Sequence, residues 1–243
     1  MKENKYDDIR FFEKYSEMPR SIGGLEAAGE WEAFRAMLPE LSDRRVLDLG
    51  CGFGWHCRYA RQRQASAVIG VDLSENMLAR ARAMTDDDAI EYRCQAIEDI
   101  DFTAEQFDVV ISSLALHYVE DVNTIFSKVY DALVPGGTLV FSVEHPIFTA
   151  LPGQDWHYGA NGEKLHWPVD NYHEEGIRTT RFLNTDVVKY HRTVATYATA
   201  LLEAGFAIAK LSELRPTPAM LAQNPAWHDE ARRPIFLLMS AVK

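Results

Sequence analysis

Val46-Leu47-Asp48-Leu49-Gly50-Cys51-Gly52-Phe53-Gly54 is an apolar run that enters three alternating glycines. With Arg44 and Arg45 before it, the run reads as a buried β-strand over 44–50. Glycines directly after a strand let the backbone turn sharply and approach a ligand closely. Phe53 to Arg63 then reads as a helix. In an open α/β sheet, ligands bind beyond the C-terminal ends of the strands, where this turn would lie.

The same rhythm continues downstream. SAVIGVDLS (66–74) reads as a second strand, with Ser74 as N-cap of a helix and Glu75 in its favourable first turn. Met77, Leu78, Ala81 and Met84 follow at helical spacing. AIEYRCQ (89–95), FDVVISSLAL (107–116) and TLVFSVEH (138–145) read as strands three, four and five. Between the last two, residues 122–137 read as a helix stopped by Pro135 and two glycines. The rhythm breaks over 146–190, an aromatic- and histidine-rich stretch without a clean helix, read as an insertion. Inside it, GIRTTRFL and DVVKYHR flank Asn184-Thr185 and predict a β-hairpin. A helix over 193–206, a sixth strand AIAKLSEL and a seventh strand PIFLLMSAV (234–242) complete the pattern. The expected fold class is α/β: a doubly wound, seven-stranded sheet in one domain over 1–243. The first 40 residues form an N-terminal helical cap, and 146–190 form a substrate lid.

The 243 residues are 47% hydrophobic and 25% charged, an ordinary globular balance. A formal net charge of -11 repels phosphate backbones and anionic membranes, so a small molecule is expected as partner, and neither nucleic acid nor membrane. No apolar run approaches the ~18 residues of a membrane span. The polar, acid-bearing N-terminus lacks the apolar core of a signal peptide. Three cysteines without framework spacing argue against a disulfide scaffold, and the cytoplasm is the expected compartment. Cys51, His56 and Cys57 lack the paired spacing of a zinc site, so no metal is expected.

Three details narrow the ligand. The glycines run Gly-x-Gly-x-Gly, and Trp55 occupies the position where the dinucleotide fingerprint requires its last glycine. Asp48 lies just before them, where a carboxylate repels a pyrophosphate but accepts from an ammonium group. Asp72 ends the second strand, where a carboxylate can accept both hydroxyls of a ribose. A ribose, a positive amino group and no phosphate together describe S-adenosylmethionine.

VLDLGCGFG, GVDLSENML, FDVVISSLALHYVED and VPGGTLVFSVEHP resemble the successive motifs of the class I S-adenosylmethionine-dependent methyltransferases, nearest their bacterial small-molecule branch. The resemblance spans about residues 40–145 well and the last helix and strands loosely. It implies the strand order 3-2-1-4-5-7-6 with strand seven antiparallel. It also implies that Gly50, Cys51, Gly52 and Gly54 line the methionine part of the cofactor, with Asp48 near its amino group. Asp72 would hold the ribose, and Leu73 and Met77 would flank the adenine. Ala96, Ile97 and Glu98 would meet the adenine edge, and Ser112 to Leu114 would pass the cofactor. Tyr15, on the N-terminal helix, would close over it.

Methyl transfer from a sulfonium is an in-line displacement by an oxygen, nitrogen or carbon nucleophile. Alignment alone can supply up to about 7–11 kcal/mol, so a base is not obligatory. After strand four there is neither an Asn/Asp-Pro-Pro-Tyr tetrapeptide nor a Pro-Cys pair, which sets aside amide-nitrogen and cytosine-carbon methylation. His117 and His145, just beyond strand ends, are the candidates for proton chemistry. Tyr118, Trp156, Trp167 and Tyr172 are candidate substrate contacts. Lys189, His191 and Arg192 either meet an anionic substrate or are solvated. An NAD-dependent oxidoreductase and a non-catalytic binding module remain open at this point.

Overall fold

The structure is a computed structural model that describes residues 4–223 and 225–243. Five strands come first: β1 (Arg45–Leu49), β2 (Ala67–Asp72), β3 (Ile90–Cys94), β4 (Phe107–Ser113) and β5 (Leu133–Glu144). Two short hairpins follow, β6 (His157–Tyr158) with β7 (Lys164–His166), and β8 (Gly176–Phe182) with β9 (Thr185–His191). β10 (Ala207–Glu213) and β11 (Phe236–Val242) return to the main sheet. Its order is β10-β11-β5-β4-β1-β2-β3, and β11 runs antiparallel to both neighbours. Counted along the main sheet alone, this is the expected 3-2-1-4-5-7-6.

The helices are α1 (Ile9–Ser16), α2 (Pro19–Gly23), α3 (Trp31–Arg35), α4 (Trp55–Gln62), α5 (Glu75–Ala83), α6 (Val122–Ala132), α7 (Pro146–Thr149), α8 (Val194–Glu203), α9 (Pro218–Gln223) and α10 (Trp227–Glu230). Among the described residues, no helix is long and apolar enough to cross a membrane.

The strands alternate between two cores, because successive side chains point to opposite faces. Leu47, Val110, Leu139 and Leu237 pack on one face against α6 and α8. Val46, Val109, Val140 and Leu238 pack on the other with Trp31, Phe34, Cys57 and Leu78. Side-chain caps start several helices: Asp8 Oδ1 accepts from Phe11 N, Ser74 Oγ from Met77 N, and Asp121 Oδ1 from Thr124 N.

The sequence boundaries differ from these in three places. The helix expected over 122–137 ends at Ala132, and Pro135, Gly136 and Gly137 lie inside β5. A proline pushes its preceding residue out of the α region, and here the chain uses that to start a strand early. The ladder absorbs the glycines by a register shift, with Phe107 opposite Leu133 but Val109 opposite Thr138. The helical stretch expected over the first 40 residues is, across the described residues 4–40, broken into three short helices and two 3-10 turns. The hairpin turn is Leu183-Asn184, one residue earlier than expected, with φ of 51° and 62°. Two central residues at positive φ are what a type I′ turn needs.

The glycine turn fixes the geometry at the sheet's centre. Gly54 has φ 71°, and a Cβ there would collide with the Tyr92 hydroxyl. Gly136 has a similar φ of 78° with nothing within 4 Å. The two substitutions therefore separate backbone strain from collision. Gly136→Ala is expected to cost about 1 kcal/mol in urea unfolding, and Gly54→Ala about 1–3 kcal/mol more. Equal losses would show that Tyr92 yields freely.

Candidate active site

A cavity of about 380 Å³ opens at the C-terminal ends of β1, β2 and β4, within the usual range for small-molecule sites. Gly50, Gly52, Asp72, Leu73 and Met77 line one half of it, joined by Ala96, Ile97 and Glu98 from the β3 loop. Leu114, His117, Tyr118 and Glu144 continue the wall along the β4 and β5 ends. Tyr6 and Tyr15 from the N-terminal segment, and Phe182 and Lys189 from the β8–β9 hairpin, close over it.

That roof is docked. Asp7 Oδ1 accepts from Ser74 Oγ at 2.5 Å and from Asn76 N at 3.1 Å. Burial raises the Asp7 carboxyl, but these bonds outweigh it and leave the group below its ordinary value. Phe11 meets Phe182 edge-on with ring centres 5.8 Å apart, and Lys14 Nζ donates to Leu183 O at 3.3 Å. Tyr6 and Tyr118 hydroxyls lie 3.3 Å apart. Burial pushes the Tyr6 and Tyr15 phenols up, so they stay protonated at neutral pH.

Asp72 is central to the floor. Its Oδ2 accepts from Gly52 N and its Oδ1 from Ser74 N, each at 2.9 Å. Each carboxylate oxygen keeps a further lone pair for a ligand hydroxyl. Beside it, a second cavity of about 60 Å³ is lined by Arg20, Ser21, Gly50, Gly52 and Trp55 among others. Trp55 Nε1 is buried there without a hydrogen-bond partner among the described residues, and Ser21 Oγ is buried beside the Tyr15 hydroxyl. Arg20 Nη2 reaches Glu30 at 2.8 Å, which leaves other N–H groups of its guanidinium. This corner is rich in donors and suits a carboxylate.

Several sequence-predicted residues lie elsewhere. Asp48 does not line the cavity; it is buried beneath the turn, where its Oδ2 accepts from Cys57 Sγ at 3.3 Å. Strand parity explains this: Leu47 and Leu49 face one core, so Asp48 points to the opposite face with α4. Cys51 touches only the smaller cavity, and Gly54 neither. Ser112 is fully buried and donates to Leu49 O at 2.9 Å, tying β4 to β1.

The two histidines part company. His117 lines the cavity, and its Nδ1 accepts from Glu144 N at 3.4 Å. Burial, with Lys189 and Arg192 acting in the same direction and Glu144 against it, pushes its pKa down to about 4. The neutral ring then carries its proton on Nε2 and offers the cavity a donor, not the expected base. His145 is buried off the cavity: Nε2 lies 3.0 Å from Glu213 Oε1 and Nδ1 accepts from Ile147 N at 3.1 Å. It caps α7, which corrects its reading as a catalytic group.

Of the expected substrate contacts, only Tyr118 reaches the cavity. Trp156 and Trp167 meet edge-to-face, Trp167 stacks on Phe148, and Arg233 lies 4.0 Å over Trp167. Tyr172 accepts from Val194 N through its hydroxyl. Trp156, Trp167 and Tyr172 form a satellite core of the insertion rather than the pocket wall, and Phe148 is shared between that core and the cavity. His191 is held between Thr149 Oγ1 and Tyr172 O, and Arg192 donates to Val119 O and Glu120 O.

Sequence reasoning missed Glu144 and left Lys189 open between a ligand contact and a solvated charge. Lys189 is 2% exposed, and its Nζ donates to Glu144 Oε1 at 2.6 Å. Gln154 Nε2 donates to the other oxygen at 3.0 Å. Burial raises the Glu144 carboxyl, yet the neighbouring His117 and Lys189 and both hydrogen bonds hold it below the ordinary range. The signals lie in the strands: Glu144 ends β5, and Lys189 shares the inward face of β9 with Val187 and His191.

Comparison with known proteins agrees with this geometry. Residues 47–141 match the family described as the methyltransferase domain. A solved S-adenosylmethionine-dependent methyltransferase from Mesorhizobium loti is 50% identical, with a TM-score of 0.86, over 90% of this chain and 100% of that one. An uncharacterized protein of Haemophilus influenzae is 34% identical, over 98% of this chain and 96% of its own length. A ubiquinone biosynthesis O-methyltransferase of Bradyrhizobium diazoefficiens is 38% identical over 42% of this chain and 40% of its own.

Burial, aided by the charge of Asp72 and opposed by the Cys57 hydrogen bond, pushes Asp48 up to about 7. An acid with a higher pKa folded than unfolded binds more protons in the native state between the two values. Its contribution to stability therefore falls as pH rises from about 4 to 7, then levels off. The D48N protein should lack this loss. In urea unfolding, its stability relative to wild type is expected to rise across that window, by on the order of 1.4 kcal/mol for each pH unit crossed. Buried histidines cancel in the difference. A gap that is constant with pH would refute the assignment.

Proposed function

The chain belongs to the S-adenosylmethionine-dependent methyltransferases, and we propose that it methylates a small-molecule acceptor held under its own lid. The carrying observation is a single cavity whose floor bears the glycine turn and Asp72, with the donor-rich corner of Arg20, Ser21 and Trp55 beside it. The residues present fit S-adenosylmethionine. Asp72 would face the ribose hydroxyls, and Leu73, Met77 and Ile97 provide apolar faces for the adenine. The buried Trp55 Nε1–H, without a partner among the described residues, and the adjacent Ser21 Oγ suit the methionine carboxylate. Gly50, at φ 75°, lets the turn pack against Ala115 at the cavity floor, since a Cβ there would collide with Ala115 Cβ.

When bound, the cofactor supplies a methyl group on a sulfonium already activated for in-line displacement. The protein's task is then alignment and exclusion of water. Tyr6, Tyr15 and Phe182 seal the roof, and the Asp7–Ser74 bond holds the N-terminal segment over the donor half. His117 Nε2–H and Lys189 Nζ offer donors that fix the acceptor's orientation. In this reading the N-terminal helices and residues 146–190 are lids of one catalytic domain. The acceptor atom is an oxygen, nitrogen or carbon nucleophile of a small molecule rather than of a nucleic acid.

Two ligands divide the donor half experimentally. S-adenosylhomocysteine contains the amino-acid end, and methylthioadenosine lacks it. Asp72→Ala is expected to weaken both, by roughly tenfold or more. Trp55→Phe with Ser21→Ala is expected to weaken only S-adenosylhomocysteine. Calorimetry on the full chain reads both, and labelled S-adenosylmethionine with a metabolite extract reads turnover. Tight NADH binding without response to S-adenosylhomocysteine would overturn the proposal.

A further inference from the structure

The acceptor half of the cavity has a charge arrangement of its own. Lys189 is almost wholly buried yet lines the cavity, and Glu144 Oε1 takes one of its three N–H donors. Burying such a pair costs desolvation energy that apolar residues of the same size would avoid. Both Glu144 oxygens are occupied, by Lys189 and Gln154, so that carboxylate is already neutralised inside the protein. At the mouth, the exposed Arg181 also lines the cavity, and its guanidinium makes no hydrogen bond or ion pair among the described residues. Lys189, Arg181 and Glu144 together leave one positive charge. His117 Nε2–H adds a neutral donor to the same wall. Phe148, Phe182 and Phe236 line the same part of the cavity, beside the aliphatic Val119 and Ile235.

Resting on the methyltransferase reading, we infer that the acceptor is a planar small molecule bearing a carboxylate, which Lys189 and Arg181 hold while its ring lies among the phenylalanines. Lys189 provides a buried, oriented donor at depth, and Arg181 provides a planar fork at the entrance. The other carboxylates of the cavity, Asp72 and Glu98, stand on the half assigned to the donor. A cationic acceptor would meet Lys189 and Arg181, and Glu144, the carboxylate that lines this half among the described residues, is already paired. The inference therefore selects by charge, which a matched set of probes can read.

The probes are benzoate, its neutral counterpart benzamide and its cationic counterpart benzylamine. Each is titrated by ligand-observed NMR into the full chain saturated with S-adenosylhomocysteine. Benzoate is expected to bind, benzamide roughly tenfold or more weakly, and benzylamine not at all. Arg181→Gln is exposed and leaves the fold intact, and it should weaken benzoate by roughly tenfold while leaving benzamide unchanged. Lys189→Met with Glu144→Met removes the pair without stranding a charge and should do the same. Arg181→Lys should restore part of the loss. No benzoate binding, equal binding of benzamide, preference for benzylamine, or wild-type benzoate affinity in both variants would each overturn the inference. Failure of S-adenosylhomocysteine to bind at all is measured separately by calorimetry and would instead bring down the underlying methyltransferase reading.

Discussion

Two backbone amides, those of Gly52 and Ser74, donate to the two oxygens of one carboxylate, Asp72. The adjacent Val71 O accepts from both Gly50 N and Cys51 N at 2.9 Å. The turn after β1 is therefore suspended from the end of β2, and it cannot relax without freeing several buried donors at once. Burial raises the Asp72 carboxyl, and the amides of Ser74 and Gly52 restrain that rise. One side chain thus shapes the glycine turn, caps the approach to α5 and presents its remaining lone pairs to the cavity. The floor of the site is preorganised before any ligand arrives, which is the condition for alignment to contribute to the rate.

Much of this is readable in order along the chain. The sheet is legible because its strands are apolar on both faces, as Val46 with Leu47 and Val109 with Val110 show. Ser74 and Asp72 are legible because capping and strand-end chemistry are local. Adjacency to the glycines points to Asp48 as a ligand contact, but strand parity overrides it. Its neighbours Leu47 and Leu49 already fix which way it points. The same displacement by one residue favours His145 over Glu144 at the end of β5. Where a residue faces is set by alternation, and sequence position alone does not carry it.

The insertion is less legible for a different reason. Its aromatics advertise a pocket, but an aromatic ring serves equally well as a platform for arginine. Arg233 lies over Phe148, Trp156 and Trp167, at 4.9, 5.2 and 4.0 Å from their ring centres. That clasp joins residues from both sides of the β8–β9 hairpin, so no local pattern reveals it. It still matters to the site, because Phe148 is shared between the clasp and the cavity wall. Of the polar residues that enter the cavity from this region, the buried one, Lys189, comes from strand β9, whose inward face also carries Val187 and His191. A charged residue at an apolar parity position is the local sign of a built site.

Charge on the whole chain and charge in the acceptor half have opposite signs. The formal net charge is -11, whereas Lys189, Arg181 and Glu144 sum to a positive corner. At physiological ionic strength the surface field decays over about 8 Å, so it acts on the approach of a ligand and hardly on its final seat. A negative surface slows the encounter with an anion, and close donors, with Lys189 buried at depth, slow its departure. Selectivity for an anionic acceptor would then reside in residence time rather than capture rate. Such a site demands contacts that form only at close range, and α1 and the β8–β9 hairpin, which meet through Phe11–Phe182 and Lys14–Leu183, narrow the space in which they form.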